Sequence, residues 1–236
     1  MAGMRDFAHQ LSDCWFVIER SEMLGSKPLG RHVLGEPVVL VRTADGAILA
    51  LQDRCPHLGV PLSYGRLGPK GLVCRSHGWS FDRRGHCTSI PGAPQEHLDD
   101  IRVQSYRTQE LDGQIWISRS TTAVLPDCIV KSHAASPSIF LWEKKCAQSA
   151  AQMRSRVKIQ GLDEGSVVQI DLDGPLGCTA RIALCITPET SGTSRIFASA
   201  RFGSSWLHPW LAQRMTMPTI RRHAHPQSLL GSDLTT

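Results

Sequence analysis

Two short segments of this 236-residue chain hold residues whose types and spacing could do chemistry: Cys55-Pro56-His57-Leu58-Gly59 and Cys74-Arg75-Ser76-His77-Gly78-Trp79. Each contains one cysteine and one histidine, and the 16 residues from 58 to 73 between them allow a loop, a turn and a short strand. Together they supply two thiolates and two imidazoles. That set suits a [2Fe–2S] cluster in which one iron takes the cysteines and the other the histidines. A structural zinc ion also accepts two of each. Zinc sites, however, draw their cysteines from one closely spaced pair and their histidines from another, whereas here each half mixes the two. The spacing therefore points to Cys55, His57, Cys74 and His77 as ligands of an iron–sulfur cluster rather than of zinc.

The elements that must position these loops read as short strands. Cys14 to Ile18 is an apolar strand, and Glu19 to Leu24 a helical turn before the Gly/Pro-rich stretch 25–30. Val38 to Arg42 and Ala47 to Leu51 form a hairpin across Ala44-Asp45-Gly46, which delivers the chain into the first loop. Leu72-Val73 runs into Cys74, and Trp79 to Asp82 turns through Arg83-Arg84-Gly85 into His86 to Ile90. Val103 to Tyr106 and Gln114 to Ile117 close this part across Leu111-Asp112-Gly113. Residues 1–120 are thus expected to form a small all-β domain.

Beyond it, Leu141 to Met153 favours helix by propensity, with a strand start at 139–142 as the alternative. Ser166–Leu172, Cys178–Ile186 and Arg195–Arg201 read as an antiparallel meander, Ser205–Met217 as helix, and 221–236 as a polar, disordered tail. The expected class is α+β: an all-β domain over 1–120, then a shortened antiparallel sheet domain over 121–220.

Composition narrows the function classes. Hydrophobic residues make up 41% and charged ones 20% of the chain, the balance of a folded globular protein. No apolar run approaches the ~20 residues of a membrane span. Met1-Ala2-Gly3-Met4-Arg5-Asp6 has no apolar signal core, so a cytoplasmic address is expected. There the eight cysteines should be thiols or ligands, not disulfides. The net charge of +5 comes with no nucleic-acid motif. Arg54, Arg66, Lys70, Arg75, Arg83 and Arg84 gather near the loops, either as a docking face for an acidic electron donor or as solvated loop charges.

Cys55-Pro56-His57-Leu58-Gly59, Pro61-Leu62-Ser63, Gly65, Cys74-x-x-His77-Gly78-Trp79-x-Phe81, Gly85 and Ile90-Pro91 resemble the N-terminal domain of Rieske non-haem iron oxygenases, in particular aromatic-ring hydroxylases and O-demethylases of the vanillate demethylase kind. The resemblance covers residues 10–120. A fainter one, at Ile186 to Thr190 and Phe197 to Arg201, is similar to late strands of the same enzymes' helix-grip catalytic domain. It implies Cys55 and Cys74 on the inner iron and His57 and His77 on the outer one, with Trp79 and Tyr64 as shields. Respiratory Rieske proteins tie their two loops with a disulfide. Val60 and Ser76 stand in the comparable neighbourhood here, which implies an oxygenase- or ferredoxin-type centre near the low end of the Rieske range, about −150 mV.

Those enzymes hold a second, mononuclear iron with two histidines and a carboxylate, leaving positions open for O₂. Downstream of residue 120 this chain has His133, His208, His223 and His225, none forming a closely spaced helical pair in the 130–165 window. The mononuclear Fe(II) is therefore expected on another chain. The leading reading is a Rieske subunit of a multicomponent oxygenase. It would take electrons from a reductase or ferredoxin and pass them to an iron-bearing homologous subunit, in a hetero-oligomer of the family's ring type. The substrate implied is a small aromatic or polycyclic compound, hydroxylated or demethylated. The alternatives are a stand-alone Rieske ferredoxin and a self-contained oxygenase with atypical ligands such as His133, Glu143 or Asp163.

Overall fold

Four apolar runs, Trp15-Phe16-Val17-Ile18, Val38-Val39-Leu40-Val41, Ile48-Leu49-Ala50-Leu51 and Ile115-Trp116-Ile117, do not alternate with polar residues. A strand of this kind is buried on both faces, so it must lie between layers. The computed structural model describes residues 14–93, 98, 100–125, 138–156, 163–164, 166–173, 178–204 and a few positions between 214 and 226. It shows a stack of four antiparallel sheets.

The strands are β1 (Phe16–Arg20), β2 (Leu29–Val33), β3 (Glu36–Arg42), β4 (Ile48–Gln52), β5 (Arg66–Gly68), β6 (Gly71–Val73), β7 (Ser80–Phe81), β8 (Cys87–Ser89), β9 (Arg107–Leu111) and β10 (Gln114–Ser118). After them come β11 (Ile139–Cys146), helix α1 (Ala150–Arg156), β12 (Asp163–Glu164), β13 (Val167–Asp173), β14 (Cys178–Pro188) and β15 (Ser194–Ser204). The sheets run β5-β6-β7-β8, β2-β3-β4, β1-β10-β9 and β11-β15-β14-β13-β12.

The period of two along each strand feeds alternate residues to different cores. Val39, Val41, Leu49 and Leu51 meet Cys55, Leu62, Leu72, Cys74 and Phe81. Val38, Leu40 and Ala50 meet Phe16, Ile18, Ile115 and Ile117 on the other side. The far face of β1 and β10 supplies Trp15, Val17 and Trp116 to a third core, shared with Val167, Ala183, Cys185 and Phe197 of the last sheet. That sheet's opposite face, Ile182, Leu184, Ile196 and Ala198, packs with Ala150 and Met153 of α1.

Hydrogen bonds close the seam between the first three sheets and the fourth. The Ser166 hydroxyl donates to the Trp15 carbonyl, and that of Thr187 to the Val17 carbonyl at 2.5 Å. Leu34 and Gly35 N–H donate to the Pro188 and Glu189 carbonyls at 2.7 and 2.8 Å. Within the fourth sheet itself Arg195 pairs with Glu143 and Glu189 at 2.6 and 2.7 Å, and Lys145 reaches Glu189 at 2.8 Å.

Several sequence expectations shift. Residues 141–146 continue β11 instead of forming a helix, because Trp142 to Cys146 pair with Ala198 back to Ser194, and only 150–156 is helical. The strand expected at Val103–Tyr106 lies at Arg107–Leu111, since Asp112 and Gly113, at φ 54° and 69°, set the hairpin register Leu111↔Gln114. Within the stretch assigned to Gly/Pro-rich loop, β2 begins at Leu29. The meander expected over 166–201 is present as β13-β14-β15. The helix expected over 205–217 and the tail expected over 221–236 lie almost entirely outside the described residues.

Candidate iron–sulfur site

β4 ends at Gln52 and releases the chain into the first loop, which returns through a 3₁₀ turn at Leu62–Tyr64. The second loop joins β6 to β7. The two loops are closed in the same way. Cys55 N–H donates to the Val60 carbonyl at 2.9 Å while the Cys55 carbonyl accepts from Gly59 at 2.8 Å. Cys74 N–H donates to the Trp79 carbonyl at 2.8 Å while the Cys74 carbonyl accepts from Gly78 at 3.1 Å. Gly59 and Gly78 take φ 72° and 74°, the left-handed region that a Cβ disfavours. This explains why a glycine ends each motif.

Between these matching closures the histidine occupies different places, two residues after Cys55 and three after Cys74. The result is segregation by ligand type. Cys55 and Cys74 are 2% and 3% exposed, while His57 and His77 are exposed at the loop tips. The imidazoles face each other edge-on, 4.7 Å between ring centroids. The Trp79 indole, expected to shield the cluster, stacks on His57 at 4.8 Å, 5° from parallel. Tyr64, of which the same was expected, is 66% exposed beside the loops.

Burial chiefly, with the Cys74 thiol beside it, pushes the Cys55 thiol up to about 11, against the backbone N–H groups of His57 and Leu58 directed at its sulfur. A buried thiol held this way needs a cation to become a thiolate, and ferric iron is such a cation. Among the described residues no three His, Cys, Asp or Glu side chains converge on one point. The donors come in twos, thiols inside and imidazoles outside. A zinc tetrahedron needs four donors around a single centre, whereas a binuclear cluster separates them in this fashion. The residues present fit the [2Fe–2S] group.

The other described cysteines do not join the site. Cys87 lies in the same core, 3% exposed, with its thiol directed at the Ser89 carbonyl at 3.7 Å. Cys146 and Cys178 are buried in the core beneath α1. Arg54, Arg66 and Arg75 are exposed around the loops, and no carboxylate pairs with them among the described residues. Arg83 instead reaches Asp45 at 3.1 Å. Of the atypical iron ligands considered, Glu143 is engaged by Arg195, Asp163 falls on β12 without a described side chain, and His133 lies outside the described residues. Sequence reading gave no role to Asp53, which is 8% exposed at the root of the first loop and accepts from Ser63. The only signal for it was an acidic residue two places before a ligand cysteine.

Residues 14–107 match the family model of the Rieske [2Fe-2S] domain. The chain is 40% identical over 105 residues to the oxygenase component of dicamba O-demethylase from Stenotrophomonas maltophilia, covering 44% of this chain and 31% of that one. It is 37% identical over 105 residues to the oxygenase subunit of 3-chlorobenzoate-3,4-dioxygenase from Comamonas testosteroni, covering 44% and 24%. The chain thus matches only a quarter to a third of these relatives' lengths. Likeness of fold extends further: a crystal structure of dicamba monooxygenase with non-heme iron and dicamba superposes with a TM-score of 0.69 at 20% identity, over 94% of this chain and 84% of that one. NdmA of Pseudomonas putida gives 0.68 at 16% identity, over 98% and 85%. Residues 14–107 are therefore a Rieske [2Fe-2S] domain, and the two relatives named above are oxygenase components.

Proposed function

We propose that the chain is the Rieske subunit of a multicomponent oxygenase, holding a [2Fe–2S] cluster with Cys55 and Cys74 on the inner iron and His57 and His77 on the outer. The cluster would supply storage of one electron at a time. The observation that carries this reading is the segregation of buried thiols from exposed imidazoles. An electron partner would approach from the imidazole side, where Leu58, 65% exposed, lies with Arg54, Arg66 and Arg75, which have no carboxylate partner among the described residues. An apolar centre with a cationic rim suits an acidic reductase or ferredoxin. The electron would pass to a mononuclear iron on a homologous subunit, where a small aromatic or polycyclic compound is hydroxylated or demethylated.

In this reading residues 1–120 are the cluster domain, 121–220 a shortened oxygenase-type sheet domain serving as scaffold and subunit contact, and 221–236 a tail. A reducing, cytoplasmic setting belongs to this reading, and the described cysteines form no disulfide with one another. No described helix is long and apolar enough to cross a membrane. The stand-alone ferredoxin is the weaker alternative, because Trp15, Val17 and Trp116, at 3%, 0% and 0% exposure, are covered by the last sheet. A small electron carrier has no use for a face that must be covered.

Anaerobic reconstitution tests the cluster, with two irons and two acid-labile sulfides expected per chain. Zinc without sulfide would overturn the reading. Iron held beyond the cluster would favour the self-contained oxygenase, and co-purification of a homologue lacking the two loops supports the hetero-oligomer.

A further inference from the structure

The two loops close alike at their tips but differ at their roots. The second is a hairpin loop, secured by ladder pairs Leu72↔Phe81 and Val73↔Ser80. The first leaves β4 and returns into a 3₁₀ turn, so no ladder joins its ends. We infer that the Asp53 carboxylate is the positioning residue that replaces the missing ladder and holds Cys55 and His57 in place. The inference rests on the cluster assignment above.

Both carboxylate oxygens are committed to one residue of the returning 3₁₀ turn. Oδ1 accepts the Ser63 N–H and Oδ2 the Ser63 hydroxyl, each at 2.6 Å. Bonds to an ionised acceptor of this kind are roughly twice as strong as neutral ones. Among the described residues no cation pairs with Asp53, and Ser63 supplies both bonds described to its carboxylate. Its own N–H donates to the Pro37 carbonyl at 2.8 Å, which fixes the clamp to β3. Leu62, next to Ser63, is fully buried in the core containing Cys55 and Cys74. Gly30 of β2 lies against the clamp, where a Cβ would stand 3.1 Å from Asp53 Oδ2 and from Ser63 Oγ. The ten residues from Arg54 to Ser63 thus form a closed ring whose lock is a side chain, whereas the second loop is locked by backbone.

The test compares Asp53→Ala, Ser63→Ala and Asp53→Asn in the full chain. Losing bonds to a charged acceptor predicts release of cluster iron to a chelator about tenfold or more faster in Asp53→Ala, with an altered electron-spin-resonance signature. Ser63→Ala should show a smaller change in the same direction. Asp53→Asn, which keeps one acceptor for the N–H and offers its amide to the hydroxyl, should restore most of the wild-type rate. Trypsin acting on the iron-free chain supplies a second readout, cleavage after the exposed Arg54, which should accelerate in the same order. A folded Asp53→Ala or Ser63→Ala with unchanged iron release, resonance signature and cleavage overturns the inference. If the wild-type chain fails to assemble a [2Fe–2S] spectrum, the cluster assignment falls. The cleavage series then judges the clamp separately: a change supports it as a lock of the loop, and no change overturns it.

Discussion

The two halves of the molecule differ in whether potential ligands stand open at loop tips. In the Rieske half, two cysteines and two histidines are held by backbone bonds at loop tips, with the imidazoles open to an incoming group. In the second half the charged groups pair with one another: Arg181 with Asp171 at 2.6 Å, Arg195 with Glu143 and Glu189, and Lys145 with Glu189. Ion pairs brace the Rieske half as well, Arg31 with Glu19 and Arg42 with Glu110, so what sets it apart is the pair of loop tips with exposed imidazoles. The contrast shows that sheet content alone says nothing about where chemistry sits, and that the commitment of each donor does.

The largest effect expected from this contrast concerns cysteine. Cys55→Ala or Cys74→Ala should abolish the cluster, read as loss of visible absorption and of both irons, whereas Cys146→Ala or Cys178→Ala should retain them. Full iron content in Cys55→Ala would erase the distinction between the halves. Next is the seam. Trp116→Ala removes a fully buried indole shared by both halves and should cost about 3–5 kcal/mol in denaturant unfolding. Cutting after residue 120 bares the face carrying Trp15, Val17 and Trp116, so the truncated Rieske half should aggregate in light-scattering measurements. A monodisperse, cluster-loaded fragment would revive the ferredoxin alternative.

A smaller contrast separates two glycines. Gly78→Ala forces a side chain into φ 74° with Pro91 Cγ 3.0 Å away, and should destabilise by about 1–2 kcal/mol. Gly192→Ala, in the β14–β15 turn with open space around it, should be nearly neutral by the same melt. The smallest effect belongs to Glu189. Burial alone would raise its carboxyl, but Lys145 and Arg195 outweigh burial and hold it below the ordinary carboxylate range. A depressed folded value contributes stability that is present above the unfolded value and lost as pH falls through the folded one. Glu189→Gln should therefore melt below wild type at neutral pH, and the gap should narrow in acid. A gap independent of pH would assign the loss to packing.

Much of this was legible because the signals were local. Cys55, His57, Cys74 and His77 sit at spacings that only a loop pair satisfies, and unbroken apolar runs such as Val38 to Val41 announced strands with two buried faces. What escaped depended on distant partners. Residues 141–146 carry Glu143, Lys144 and Lys145, good helix formers, yet pairing with β15 and the Arg195–Glu143 bond make them a strand. The start of β2 escaped because Pro28 and Gly30 mimic a turn, although Gly30 sits within a ladder, paired with Val39 and flush against Asp53. The pairing of Asp53 with Ser63 across ten positions has no periodic signature, so only coordinates reveal it.

The seam also makes the iron–sulfur chromophore a thermometer for protein it does not touch. The Trp15 and Val17 carbonyls accept from Ser166 and Thr187, so loosening the last sheet by heat frees the strand paired with β10. The brown colour should therefore bleach in the same transition in which the fourth sheet melts. A lesion as remote as Phe197, buried on β15, would then be visible by eye as a lower bleaching temperature.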